Sequence, residues 1–286
     1  MKVLVLGIDG MDPRVCREAN MPNLKKIGEI IGIRTHHDSG RSWGSFITGV
    51  PPAEHGIEAI SLDYDLTKLK VLPIWDIIPK DKKVGIAGLP IGYPPQTING
   101  WFVGGLLARP SDYARPIELQ KELNELGWRE PFEQGEYRER NAPRRFDVTN
   151  EMLEDEWKKI LPDRTKCFKH LMKKYPVDLN ILIYRCLDWI SHRLFNNKPK
   201  ILEWYARMDK EIGEILQAEK FDKVMIISDH GFKPILNLSI DCEVGQVALD
   251  PVIGHHRKVG TYVSNFGVPI EKIEDAFGVM KKLMEE

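Results

Sequence analysis

Residues 3–8 (Val-Leu-Val-Leu-Gly-Ile) form an apolar run rich in β-branched side chains that stops abruptly at Asp9-Gly10, the pattern of a strand buried on both faces and of parallel type. Helical spacing of apolar positions follows over residues 21–30 and again over 41–48, where Gly49 and the Pro51-Pro52 pair end it. A short strand is predicted over 83–87, helices over 150–174, 199–217 and 270–284, and a strand over 260–265. Two further apolar runs read as strands: residues 178–187, leading into Asp188, and residues 221–228, leading into Asp229. Between about residues 90 and 145 the texture changes, with Pro, Gly, Arg and Glu accumulating and the periodicity fading. That stretch is expected to be an insertion or lid on a single domain spanning 1–286. Strands alternating with helices predict an α/β fold, a mostly parallel sheet with helices on both faces. In such sheets ligands gather at the carboxyl ends of strands, and here three predicted strands run into an aspartate: Asp9, Asp188 and Asp229.

Composition narrows the partners more than the fold. Of 286 residues 42% are hydrophobic, enough for one large core. The 41 basic and 42 acidic residues nearly cancel, so no nucleic-acid polymer is expected as a partner. A small anionic substrate remains compatible, because a metal site supplies its own positive charge. The N-terminal apolar run is shorter than a signal-peptide core and no stretch approaches a membrane span, so no membrane association is expected. The four cysteines are scattered without a C-x-x-C, which fits a reducing cytoplasm and neither a disulfide framework nor a zinc knot.

The candidate chemistry lies in three clusters. Asp188 and His192, four apart, share one face if helical and suit zinc or manganese. Alone, the pair reads equally well as a capping Asp and a surface His. Asp229-His230-Gly231 follows a buried strand, and a turn there would let both side chains converge on one ion, although an ordinary strand-end turn has the same pattern. His255-His256-Arg257 precedes the last strand, and one of its two histidines is a candidate ligand. Taken together, Asp9, Asp188, His192, Asp229, His230 and His256 provide the six ligands that a pair of ions requires.

These residues, in this order, resemble the alkaline phosphatase superfamily and within it the type I phosphodiesterase/nucleotide pyrophosphatase branch. The likeness rests on Gly7-Ile8-Asp9-Gly10, on Trp43-Gly-Ser-Phe-Ile-Thr48-Gly49 with Pro52 and His55-Gly56, on Asp188-x-x-x-His192, on Ser228-Asp229-His230-Gly231 and on His256-Arg257-x-x-Gly260. Pro90-Ile-Gly-Tyr93-Pro-Pro, with Asn99-Gly100 and Gly104-Gly105, is similar to a stretch of prokaryotic members. The resemblance implies an alkaline-phosphatase-like three-layer sandwich and two divalent metal ions, zinc first, with manganese or iron as alternatives. Asp9, Asp229, His230 and the nucleophile would hold one ion, and Asp188, His192 and His256 the other. The family's nucleophile is a Thr or Ser four residues before the tryptophan of W-x-[ST]-x-x-T-G, which is Ser39 here; Ser42 and Ser45 are competitors. Its surroundings, His36-His37-Asp38-Ser39-Gly40-Arg41, are more polar than in relatives. His37 and Arg41 are candidate substrate contacts, Asp38 a further one, and a contact from His36 or His255 is left open.

The implied activity is hydrolysis of phosphate esters through a phosphoseryl intermediate, by a phosphodiesterase or nucleotide pyrophosphatase acting on a small phosphorylated substrate such as a nucleotide. The alternatives are a phosphomonoesterase or metal-dependent phosphomutase on the same scaffold, and a non-catalytic metal- or nucleotide-binding protein. A sulfatase lacks its C/S-x-P-x-R signature here, and Gly7-Ile-Asp-Gly10 is not the G-x-G-x-x-G of a dinucleotide binder. His55 reads as a turn residue, His170 as solvent-facing, the tryptophans as packing, and the arginines of 138–145 as a solvated face.

Overall fold

The computed structural model describes residues 1–130, 148–235 and 253–286. In chain order the elements are β1 (Val3–Ile8), α1 (Pro13–Glu18), α2 (Pro22–Ile27), β2 (Ile31–Arg34), α3 (Ser39–Thr48), α4 (Pro52–His55), α5 (Ile74–Ile77), β3 (Val84–Leu89), β4 (Gly100–Gly104), β5 (Ala114–Arg115), α6 (Leu119–Leu126), α7 (Asn150–Lys174), β6 (Leu179–Tyr184), α8 (Cys186–Leu194), α9 (Lys198–Ala218), β7 (Lys223–Ile227), β8 (Gly231–Pro234), β9 (Gly254–Arg257), β10 (Val259–Ser264) and α10 (Asp275–Glu285).

Eight strands make one sheet in the order β2-β10-β7-β1-β6-β3-β4-β5. The five from β7 to β4 run parallel, while β10 and β5 are antiparallel to their neighbours. Every residue of β1, β3 and β6 is buried, as continuous apolar strands covered on both faces must be. The strand period of two divides the core between those faces. Leu4, Leu6 and Ile8 pack with α7, α8 and α9 residues such as Trp157, Ile190 and Trp204. Val3 and Val5 pack with Trp43 and Phe46 of α3 and with Met280 and Met284 of α10. The expected three-layer arrangement is therefore present.

The differences from expectation are local. Apolar spacing over 21–30 yields a helix only to Ile27, because Gly28 passes β10 so closely that a Cβ would meet Ser264 O at 2.3 Å, and the chain then enters β2. Within the region expected to be a lid, β4 pairs with β3 inside the main sheet, β5 extends that edge and α6 packs against α7. Residues 138–145 lie outside the described residues. The strand expected to reach Asp188 stops at Tyr184, and Asp188 sits in the first turn of α8. Among the described residues, no helix is long and apolar enough to cross a membrane.

Candidate metal centre

At the carboxyl end of the sheet, β1, β7 and β6 deliver their loops side by side. Past Ile8 the chain turns at Asp9-Gly10, and Gly10 has φ 77°, with a Cβ there placed 2.8 Å from the Asp188 Cα. Only glycine fits that close approach in that conformation. Its N–H donates to Asp229 Oδ1 at 3.1 Å, and the next N–H, of Met11, donates to Ser228 Oγ at 2.9 Å, which joins the β1 and β7 turns.

Three carboxylates and three imidazoles meet there. His230 Nε2 is 3.3 Å from Asp9 Oδ1 and 3.4 Å from Asp229 Oδ2. His256 Nε2 lies 3.2 Å from Asp188 Oδ1 and 2.9 Å from His192 Nε2, and His192 Nε2 lies 3.3 Å from the same Asp188 oxygen. The two trios adjoin, since His230 Nε2 is 3.7 Å from Asp188 Oδ1 and the rings of His230 and His256 stack at 3.6 Å. Ser39, the first residue of α3, sets its Oγ 3.1 Å from His230 Nε2 and 3.4 Å from Asp9 Oδ1. The candidate nucleophile and all six candidate ligands thus share one site.

The electrostatics fit a cation. Burial, together with the charges of Asp9 and Asp188, pushes the Asp229 carboxyl well above the usual range. No hydrogen bond reaches Asp229 Oδ2 among the described residues, although the atom is buried. Burial opposes the charge of Asp188 too, but His192 and His256 outweigh it and hold that carboxyl well below its ordinary value. Against burial, Asp9 and Asp188 raise His230. A buried carboxylate oxygen that accepts no hydrogen bond among the described residues and has the His230 ring at 3.4 Å, beside two further carboxylates, is a costly arrangement that a divalent cation would relieve. Two groups of side chains could each hold an ion: Asp9, Asp229 and His230, and Asp188, His230 and His256. His192, four residues after Asp188 on α8, stands within reach of the second group.

The competitors of Ser39 face elsewhere. Ser42 Oγ is engaged with the backbone of His36, and Ser45 Oγ with the His36 and His55 rings. Asp38 caps α3 by accepting from Arg41 N at 3.2 Å. Arg41 itself is tied to Glu58, through its carbonyl and its carboxylate, and the structure does not bring it into the cluster. His37 is exposed; its carbonyl accepts from His256 Nδ1 at 2.6 Å, and burial together with Arg41 and Lys258 lowers its own pKa. His36 pairs with Glu274, and His255 stacks beside His256. His55 accepts from Ile57 N at 3.0 Å, as a turn residue does, while His170 is not merely solvated but meets Glu122 at 2.8 Å.

Sequence reasoning missed Asp12, whose carboxylate is fully buried. It accepts from Phe232 N at 3.1 Å and from Arg14, and meets Arg257 Nη1 at 3.2 Å, fastening the β8–β9 hairpin that carries His256. Burial opposes its charge, but Arg14 outweighs it and lowers the pKa. The available signal was Asp12-Pro13, a capping residue before a proline at the first helical position.

Comparison with known proteins agrees with the geometry. The family model described as type I phosphodiesterase/nucleotide pyrophosphatase matches residues 3–244, ending before β9 and His256. Among solved structures, phosphonoacetate hydrolase from Sinorhizobium meliloti superposes with a TM-score of 0.64 at 13% identity, covering 99% of this chain and 96% of that one. Murine ectonucleotide pyrophosphatase/phosphodiesterase 5 gives 0.60 at 13% identity, over 100% and 95% of the chains. Its human counterpart gives 0.59 at 15%, over the same shares. No curated protein matches the chain by sequence. With the family model matching most of its length, this chain belongs to the type I phosphodiesterase/nucleotide pyrophosphatase family and is a hydrolase of phosphoester bonds.

Proposed function

We propose that the chain is a metal-dependent phosphodiesterase or nucleotide pyrophosphatase with Ser39 as nucleophile. The observation that carries the reading is the position of Ser39 Oγ, 3.1 Å from His230 Nε2 and 3.4 Å from Asp9 Oδ1 at the start of α3. Asp9, Asp229, His230 and Ser39 would hold one divalent ion, and Asp188, His192 and His256 the other. Zinc suits this Asp/His set, as do manganese and iron. When bound, the ions supply charge neutralisation for the phosphate and favour the ionised form of the Ser39 hydroxyl.

Ser39 Oγ forms a bond to phosphorus as the bond to the leaving alcohol or phosphate breaks. Water then cleaves the phosphoseryl bond, releasing the phosphorylated product and restoring the hydroxyl. First-turn N–H groups of α3 favour the phosphate charge at that point. His37 stands beside His256 as a candidate substrate contact, whereas Arg41 reaches substrate only by leaving Glu58. Murine ectonucleotide pyrophosphatase/phosphodiesterase 5 has been obtained in complex with AMP, which supports a nucleotide-sized substrate for this chain. The free, buried Cys16, Cys167 and Cys186 suit a reducing cytoplasm.

The test is Ser39→Ala, assayed on bis(p-nitrophenyl) phosphate and p-nitrophenyl phosphate with metal content measured alongside. Retained metal with turnover lowered by about three orders of magnitude is expected, and unchanged turnover removes Ser39 from the role. The wild-type ratio of the two rates decides between a diesterase and a monoesterase.

A further inference from the structure

Behind the carboxylate cluster lie two buried arginines that the proposed reaction leaves unused. Arg185 follows β6 directly and is 4% exposed; Arg164, on α7, is fully buried. Both turn to one carboxylate: Glu130 pairs with Arg164, and its Oε2 lies 3.5 Å from Arg185 Nη1. Aromatic rings hold the guanidinium groups in place, Trp128 at 4.7 Å from that of Arg164 and Trp189 at 5.7 Å from that of Arg185. The Arg185 Nε–H is buried, has no hydrogen-bond partner among the described residues, and lies 3.9 Å from Asp9 Oδ2.

Asp9 therefore employs its two oxygens differently. Oδ1 faces Ser39 and His230, at 3.4 and 3.3 Å, while Oδ2 faces the Trp43 indole N–H at 3.4 Å and Arg185. Burying a guanidinium with an unmatched N–H is costly, and an apolar side chain would fill the same space at lower cost. The Nε itself is shut off from solvent, so that N–H is not the one a substrate would meet.

We propose that Arg185, held by Glu130, is a positioning residue for Asp9: it keeps Oδ2 on the protein side so that Oδ1 is presented with Ser39 and His230 to one metal ion. The inference rests on the metal reading of that trio. It connects the candidate metal centre with Glu130, a residue of the stretch expected to be an insertion or lid. Outer partners of metal ligands typically contribute 10- to 100-fold in affinity.

The sign of the effect separates positioning from charge. Removing a cation beside an ion site strengthens cation binding by Coulomb's law, whereas losing the orientation of Asp9 weakens it. The experiment is calorimetric titration of the metal-stripped full chain with Mn²⁺ for the wild type, Arg185→Met and Glu130→Gln, with thermal melts alongside. Arg185→Met is expected to weaken one of two sites about tenfold and leave the other unchanged, with a smaller shift in the same direction for Glu130→Gln. Wild-type or tighter binding by the variants overturns the proposal, as does equal weakening of both sites, which a merely structural role would produce. Should Arg185→Met fail to fold, Glu130→Gln carries the same test. A wild-type chain that binds no Mn²⁺ overturns the metal reading itself, a result distinct from wild-type-like binding by the variants.

Discussion

The two trios of the candidate metal centre are built from different material. Asp9, Asp229 and His230 stand just past the ends of central strands, all at or near zero exposure, with the Gly10 and Met11 N–H groups donating to the Asp229 and Ser228 side chains to link the two turns. The side chains of Asp188, His192 and His256 are 11 to 17% exposed, and they come from a helix and a two-stranded hairpin outside the main sheet. The sheet-borne trio inherits the rigidity of the core, whereas the other depends on how the hairpin is fastened. An ion held by the first is expected to bind tightly and exchange slowly, and an ion held by the second to be the more labile.

Asp229→Asn strikes the rigid trio and carries the largest expected effect. Turnover should fall by about three orders of magnitude, with metal lost as well, and full metal occupancy by elemental analysis would contradict the assignment. His256→Ala strikes the hairpin trio. A loss of about 10- to 100-fold in the affinity of the weaker ion is expected, with the tighter ion retained; loss of both in a two-site titration would erase the contrast. Asp12→Ala attacks the fastening and not the ligands. It strands Phe232 N–H and takes a carboxylate partner from Arg14 and Arg257, and should cost about 2–4 kcal/mol in denaturant unfolding while loosening the weaker ion. An unchanged second-ion affinity would show that the hairpin needs no anchor.

The smallest effect concerns His55, which supports α3 from behind. Burial holds its pKa down to about 4 against an ordinary 6.5, although the Arg41 carbonyl works the other way. A depressed folded-state pKa means that its contribution is whole above pH 6.5 and is lost as the pH falls towards 4. The wild-type melting temperature should therefore decline over that window more steeply than that of His55→Asn. Parallel slopes would refute a neutral, buried His55.

The same contrast governs what could be read from the sequence. Asp9 and Asp229 were legible because each ends a buried apolar run, and the shift from apolar to acidic marks a strand end wherever the chain folds. The 25 residues of α7 were bounded correctly, since a long amphipathic pattern leaves little freedom. The helical spacing of Asp188 and His192 was legible, and both lie on α8, although the run over 178–187 hid the change from strand to helix at Arg185. The hairpin was not legible: Gly-His-His-Arg has neither apolar alternation nor length, and it forms because Asp12, more than 200 residues earlier in the chain, binds Phe232 N and Arg257. β4 was obscured in a similar way, its apolar core being only Trp101 to Val103 between glycines. Arg185 and Glu130 give no local sign at all, because their significance lies in burial beside Asp9.

The register of β1 has a consequence for biosynthesis. Val3 lies opposite both Leu179 and Lys223, so β1 finds its neighbours in the sheet only after about 170 further residues have been made. Contacts so distant in sequence are slow to form, and until they form the edges of β1 lack their partner strands. His256 arrives later still. A nascent chain can therefore assemble both candidate trios only once His256 has been made.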